Sequence, residues 1–249
     1  MLMLYFSGTG NSKWIAQLFS KKMGAICHSI EENQDFTALM AGYDTIAFCY
    51  PVYGSRVPRP MRDFMKKHQK SLRGKQLIIF CTQMAFSGDG ARAFMDLLPK
   101  NHAHPIYAEH FPMPNNISNF PITPLATKKQ TKKYLANAQK KMSRACKDIR
   151  CGKVRLRGFN LVSRASGLLQ GAMWPFVERA FRRNVWVGRD CNGCGLCARV
   201  CPVNNFAISA NKAKPLGNCA LCYRCINHCP KKAICVFVPV RPKKQFRRN

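Results

Sequence analysis

Apolar residues arrive along this chain in short blocks, and the spacing inside each block sorts them into strands and helices. Met1–Phe6 is an unbroken apolar run suited to a strand buried on both faces. It leads into Ser7-Gly8-Thr9-Gly10-Asn11-Ser12 and then Lys13–Met23, where Trp14, Ile15, Leu18 and Phe19 share one helical face. Tyr43–Tyr50 and Lys75–Thr82 repeat the buried-strand pattern, and weaker runs at Ala25–Ile30 and Ala103–Ala108 bring the strands to five. Helices are expected at Arg59–Lys70 and Ala91–Leu98. Strands alternating with helices at this spacing predict a doubly wound α/β fold on a five-stranded parallel sheet.

The later half reads differently. Ile106–Leu125 carries Pro112, Pro114, Pro121 and Pro124 and is an irregular segment. Leu125–Arg150 is a long helix whose Lys and Arg residues form a solvated face. Val154–Arg183 sets an apolar face (Leu161, Leu168, Leu169, Met173, Trp174, Phe176, Val177) among arginines. We expect it to pack between two domains rather than lie in a membrane interface, and Pro175 to kink or end it. The longest charge-free run of this half, Ala165–Val177, is too short to span a bilayer.

The ends of the three strong strands carry candidate chemistry. A hydroxyl- and glycine-rich turn between a strand and a helix can cradle a phosphate: the glycines let N–H groups approach, and the helix N-terminus adds partial positive charge. Ser7–Ser12 is neither a Walker loop nor G-x-G-x-x-G, and it reads equally as a tight connection. The other two strands end in Pro51-Val52-Tyr53-Gly54 and in Gln83-Met84-Ala85-Phe86-Ser87-Gly88-Asp89-Gly90. Ligands of open α/β sheets sit outside such strand ends.

Fourteen cysteines dominate the chemistry of the later half. Eight lie in two runs, Cys191–Pro202 and Cys219–Pro230, each reading C-x2-C-x2-C-x3-C-P. That is the spacing with which bacterial-type ferredoxins hold two 4Fe–4S clusters, the fourth cysteine of each run serving the other cluster. Cys191, Cys194, Cys197 and Cys229 are therefore expected around one cluster, and Cys219, Cys222, Cys225 and Cys201 around the second. A zinc site uses two cysteine pairs rather than a triplet plus Cys-Pro, and a disulfide framework belongs to small secreted domains. Phe206-Ala207-Ile208 and Ala233-Ile234 follow the two motifs as internal repeats, the first carrying one extra residue, two on a strict count. Cys27, Cys49, Cys81, Cys146, Cys151 and Cys235 show no paired spacing and behave as small hydrophobes. With no basic, apolar leader at the start, a reducing, cytoplasmic setting is expected.

Charge changes the picture once more. The net charge is +30, with 13 Lys and Arg against 8 Asp and Glu in residues 1–125, and 28 against 3 in residues 126–249. Such a field attracts acidic proteins, anionic lipid or nucleic acid without choosing among them. Lys243–Asn249 reads as a mobile basic tail.

Together these motifs resemble the flavodoxin–ferredoxin fusion proteins of anaerobic bacteria and archaea, over residues 1–150 and 185–240. The resemblance implies a flavodoxin-like domain at 1–150, a helical linker at 151–184, a small α+β dicluster ferredoxin-like domain at 185–240 and a basic tail at 241–249. It implies FMN, with Ser7, Thr9, Asn11 and Ser12 donating to its phosphate and Gly8 and Gly10 giving the backbone room. The loops Pro51–Ser55 and Thr82–Gly90 would flank the flavin ring, through Pro51, Tyr53, Gly54, Gln83, Phe86 and Gly88. Tyr53 is the first candidate for stacking and Phe86 the second; either equally serves as a loop anchor on the sheet. Met84 and Ala85 stand where many flavodoxins have small or polar residues, and electron-shuttling flavodoxins are acidic where this chain is basic.

The implied function is electron transfer between FMN, two 4Fe–4S clusters and an external partner, an acidic redox protein fitting the charge. No nucleophile–base constellation or dinucleotide fingerprint is readable, so an electron carrier or oxidoreductase component is expected rather than an enzyme with its own substrate. Three rivals stand beside it: a nucleic-acid-binding iron–sulfur protein without functional flavin, which is not favoured, a module with peripheral membrane contact, and an enzyme reducing a small substrate at the flavin.

Overall fold

The computed structural model describes every residue except Ala85, Ser87, Pro121, Thr123, Arg247 and Asn249. It divides into two compact units, the first comprising Met1–Ser7, Asn11–Met113 and Thr131–Trp174. This unit is built on a parallel sheet of β1 (Leu2–Tyr5), β2 (Ile26–Ser29), β3 (Thr45–Pro51), β4 (Gln76–Gln83), β5 (His104–Pro112) and β6 (Arg155–Leu156), in the order β2-β1-β3-β4-β5-β6. The sheet is doubly wound: the order in which strands are added turns back between β1 and β3, the place where such sheets open a crevice at the strands' carboxyl ends. The five expected strands are present, and the two-residue β6 is added beside β5, with Tyr107 opposite Arg155.

Both faces of the sheet are apolar, so each is covered. On one side Met3, Cys49, Phe80 and Phe111 meet Ile15 and Phe19 of α1 (Asn11–Met23). On the same side Ala138, Met142 and Ala145 of α4 (Lys128–Arg150) complete the cover. On the other side Phe48 and Tyr50 meet Phe94, whose ring stacks on Tyr50 at 5.5 Å. Phe94 lies in a 3-10 turn, Arg92–Leu97, where an α-helix is expected from the sequence. Two further helices, α2 (Phe36–Ala41) and α3 (Arg59–His68), lie along the connections. The short α2 escapes the apolar pattern; its signal is Asp35, whose carboxylate accepts from Thr37 N and Ala38 N as an N-cap. α4 starts three residues later than its apolar pattern because Thr127 and Gln130 form a reciprocal capping box.

Two expectations need correction. The strand expected to end at Ala108 continues to Pro112 through Glu109 and His110, both buried. Polar residues at buried strand positions hide the pattern, and cations from elsewhere in the chain make them tolerable. Most of the apolar face of Val154–Arg183 is exposed, at Leu161, Leu168, Leu169, Met173 and Phe176, while Trp174 and Val177 are half-buried. In α5 (Leu161–Ala172) the buried positions are instead Gly167 and Gly171. The helix does end where Pro175 requires, and α6 (Trp174–Phe181) starts with that proline in its first turn.

The second unit comprises Gly8–Gly10, Pro114–Gln130 and Pro175–Asn249. Its strands form two antiparallel pairs, β7 (Val185–Val187) with β10 (Ile234–Val236) and β8 (Phe206–Ser209) with β9 (Lys212–Pro215). Two five-residue helices, α7 (Leu196–Val200) and α8 (Arg224–His228), lie between them. The irregular segment after Met113 is tied to this unit: Asn119 Nδ2 donates to the carbonyls of Val236 and Val238, and Asn116 O accepts from Asn227 Nδ2. Pro121 of that segment lies outside the described residues. The basic tail is docked rather than mobile as far as Phe246. Gln245 Nε2 donates to the carbonyls of Ile226 and Cys229, and Phe246 N to Asn227 Oδ1. Among the described residues no helix is long and apolar enough to cross a membrane.

Candidate cofactor sites

The two cysteine runs fold as a backbone repeat with an offset of 28 residues. Gly193 and Leu221 are both left-handed (φ +67° and +53°), as are Gly195 and Tyr223 (+73° and +60°) and Asn204 and Lys232 (+50° and +49°). Each motif then closes on the same hydrogen bond four residues after its last cysteine, Asn205 N to Cys201 Sγ at 3.2 Å and Ala233 N to Cys229 Sγ at 3.3 Å. In this register Asn205 matches Ala233, and Phe206 matches Ile234 as the start of a strand. The extra residue expected in the first repeat is therefore absent; matching the Ala-Ile pairs by sequence had shifted the register by two.

Cys191, Cys194, Cys197 and Cys229 line one pocket together with Leu196, Ala213 and Ile234. Ala213 N donates to Cys191 Sγ at 3.4 Å, so two of these sulfurs already hold an N–H bond. Burial pushes the Cys197 thiol up, and the nearby Cys191 and Cys194 add to it. Burial pushes Cys225 up further, and its neighbours are first Cys222, Cys219 and Cys201. Leu221 N donates to Cys219 Sγ at 3.3 Å. Thiols this buried lose their protons only to metal, which favours the thiolate strongly. Among the described residues no three His, Cys, Asp or Glu converge as a single ion requires. The thiolates of a cubane stand farther apart, each at its own corner, and the walled cavity with N–H donors on sulfur fits that group. His228 Nδ1 donates to Arg224 O at 2.9 Å, a bond within α8.

At the glycine-rich turn after β1, Ser7 and Thr9 are buried or nearly so, and Gly10 has φ +100°, a conformation that favours glycine. Ser12 is fully buried, its hydroxyl 2.7 Å from Thr82 Oγ1 at the end of β4. Within the second unit, Asn116 Nδ2 donates to Thr9 Oγ1 at 2.8 Å and Arg224 Nε to Gly8 O at 3.1 Å. A Cβ on Gly10 would come 3.2 Å from Arg248 Cβ, so the turn has a guanidinium stem as its neighbour. Burial lowers the pKa of Arg248 to about 10, still cationic at neutral pH. A left-handed glycine turn with a cation beside it fits an anion such as a phosphate. Asn116, Arg224 and Arg248 are far from the turn in sequence, and nothing local marks them.

The two ring loops end β3 and β4. Tyr53-Gly54-Ser55-Arg56 is a tight turn with φ +51° and +57° at its centre and bonds between Tyr53 and Arg56 in both directions. Tyr53 faces Trp174 with ring centroids 6.2 Å apart, and a Cβ on Gly54 would lie 2.4 Å from the Trp174 ring. Pro51 closes β3 opposite Thr82, Gln83 O accepts from Met113 N, and Gly88 abuts the backbone of Gly167. Phe86 is exposed; Ala85 and Ser87 lie outside the described residues. Tyr53 thus has a protein ring as neighbour, and Trp174 is the residue that sequence reasoning placed on an apolar helix face instead.

Glu109 of β5 is a buried carboxylate. Glu109 meets Lys141 Nζ at 3.1 Å, Arg157 Nε at 3.5 Å and Arg155 at 3.8 Å. Beside it, burial and the Arg157 guanidinium lower the pKa of His110 to about 4, outweighing Glu109. Ala91 N donates to its Nε2, so the neutral ring carries its proton on Nδ1.

A family model described as a flavodoxin domain matches residues 2–166, and one described as a 4Fe-4S binding domain matches residues 185–206. No curated protein gives a significant match. Among solved structures, a WrbA-like flavodoxin from Agrobacterium tumefaciens is 19% identical, with 61% of this chain and 98% of that one covered at a TM-score of 0.41. The Megasphaera elsdenii flavodoxin is 21% identical over 57% of this chain and 99% of its own, with a TM-score of 0.38. A Lactobacillus acidophilus flavoprotein in complex with FMN is 15% identical over 44% and 91%, with a TM-score of 0.34.

Proposed function

We propose, from the premise that this chain belongs to the flavodoxin domain family and carries a 4Fe–4S binding domain behind it, that its electron-transfer role runs between one FMN and two 4Fe–4S clusters. The observation that carries the cluster count is the 28-residue backbone repeat: the second cysteine run has the same left-handed positions and the same N–H bond to sulfur as the first. The first cluster is assigned to Cys191, Cys194, Cys197 and Cys229, and the second to Cys219, Cys222, Cys225 and Cys201. FMN exchanges electrons singly or in pairs while each cluster passes one, so the pairing splits or merges electron pairs.

The chain's own residues orient and insulate. Ser7, Thr9, Asn11 and Ser12, with Gly8 and Gly10, form the phosphate turn. Pro51, Tyr53 and Gly54 on one loop, and Gln83, Phe86 and Gly88 on the other, flank the ring, with Trp174 bracing Tyr53. Backbone N–H groups of Ala213, Ala233, Asn205 and Leu221 hold sulfur orientation and raise the potential of what the thiolates bind. An acidic redox protein is the external partner that the net charge of +30 suits.

The test is anaerobic purification followed by iron, sulfide and flavin counts with an absorbance spectrum. About eight irons, about eight sulfides and about one FMN per chain are expected. About four irons would remove the second cluster, and colourless, zinc-loaded protein would remove both. Tight, salt-dependent binding to nucleic acid by flavin-free protein would favour the nucleic-acid reading instead.

A further inference from the structure

We infer that the outward face of α5 docks on an anionic phospholipid surface, its leucines entering the interface between headgroups and acyl chains. The inference stands apart from the redox reading. At 100° per residue, Leu161, Val162, Ala165, Leu168, Leu169 and Ala172 occupy one continuous arc of the helix, and no polar residue interrupts it. Leu161 is 78% exposed, Val162 79%, Leu168 54% and Leu169 81%, and Met173 extends the arc at 64%. Amphipathic helices of soluble domains turn such a face inward; this one turns it out.

The orientation is locked from the other side. Gly167 and Gly171 are buried, and a Cβ on Gly171 would come 2.4 Å from Arg56 Nε, while one on Gly167 would overlap the Asp89 carboxylate. Arg56 Nε donates to Gly171 O at 3.2 Å, and Ser55 Oγ to Gln170 Oε1 at 2.5 Å. Rolling the helix to hide its leucines would drive side chains into these loops. The outward apolar arc is therefore a fixed feature of the fold.

Charge selects the occupant. Between Asp148 and Glu178 the sequence holds no acidic residue; Arg155 and Arg157 are turned to Glu109, and the exposed Lys153 and Arg164 suit anionic headgroups. A second copy of the chain would bring +30 against +30. A protein partner would be expected to meet aromatic anchors, and the arc from Leu161 to Met173 offers only aliphatic side chains and methionine. An aliphatic face of about 18 Å on a helix that carries Arg164 and no acidic residue matches a helix lying in a bilayer interface.

The full chain with its cofactors is sedimented with vesicles of phosphatidylcholine alone and of phosphatidylcholine mixed with phosphatidylglycerol. Co-sedimentation with the mixed vesicles and not with phosphatidylcholine is expected. The double substitution L168Q/L169Q, which leaves charge unchanged, should weaken binding at least about tenfold while the melting temperature stays at the wild-type value. L161Q/V162Q should act in the same way and serves if the first variant melts early. Wild-type protein that ignores the mixed vesicles overturns the inference. So does binding that both variants retain in full, which would be charge alone, or a dimer in light scattering that the variants dissolve.

Discussion

In the sheet unit, β3 buries every residue from Ile46 to Tyr50 and β4 every residue from Leu77 to Thr82. In the cysteine-rich unit, Cys197, Cys219, Cys222 and Cys225 take up buried positions that aliphatic side chains would otherwise fill. Its strands are three or four residues long, and its two central helices have five residues each. A strand buried on both faces generates its own stability from apolar area. Thiols ringed around a cavity generate little until they are metal ligands. The difference teaches that one unit is organised by its apolar core and the other by its cysteines.

The largest way to break that comparison is to remove ligands from one repeat at a time. Cys194→Ser and Cys222→Ser should each lower bound iron by about half, by anaerobic iron assay, if the two repeats hold separate clusters. The far-ultraviolet signal of the sheet should survive both changes. Total iron loss from either variant would mean that the repeats fold as one cooperative metal site.

Glu109→Gln attacks the other unit. The carboxylate is buried among Lys141, Arg155 and Arg157, and neutralising it leaves three cations facing one another. A loss of about 3 kcal/mol in urea unfolding is expected, with iron content unchanged; the partial exposure of the cations keeps it at the low end for a broken buried pair.

His110 supplies an effect of similar size, read by pH. Its folded pKa is about 4 against an ordinary 6.5, so between those values the unfolded chain binds the extra proton. Its contribution is present in full above pH 6.5 and is lost as the pH falls toward 4, on the order of 3 kcal/mol. His110→Gln should flatten that part of the stability–pH curve. An unchanged slope would assign the acid sensitivity to other groups.

The smallest effects separate two glycines of the first repeat. Gly193→Ala places a Cβ 2.6 Å from the Asn211 carbonyl carbon at φ +67° and should cost about 2 kcal/mol in melting experiments. Gly195→Ala meets only the end of the Arg199 side chain and should cost about 1 kcal/mol. Equal losses at the two sites would mean that strain, and not the close approach at Gly193, sets the cost. The second repeat carries Leu221 and Tyr223 in the same conformations, both buried, so what glycine does freely there is done by packing.

Local pattern was enough for the buried strands, the glycine turn at Ser7–Ser12 and both cysteine runs, because each depends on residues adjacent in sequence. It failed where partners come from far along the chain. Glu109 and His110 look like the end of a strand until Lys141, Arg155 and Arg157 arrive beside them. The register after each Cys-Pro was hidden because the Ala-Ile pairs align by sequence two residues away from where the N–H bonds to Cys201 and Cys229 sulfur align the backbone.

By itself the sequence determined the strand pattern, the spacing of eight thiols and the excess of positive charge, since these are properties of neighbours and of composition. Only the tertiary structure decided which face of α5 is hidden. Apolar periodicity identifies a stripe, but the close approach of Gly167 to Asp89 and of Gly171 to Arg56 dictates that the stripe points outward.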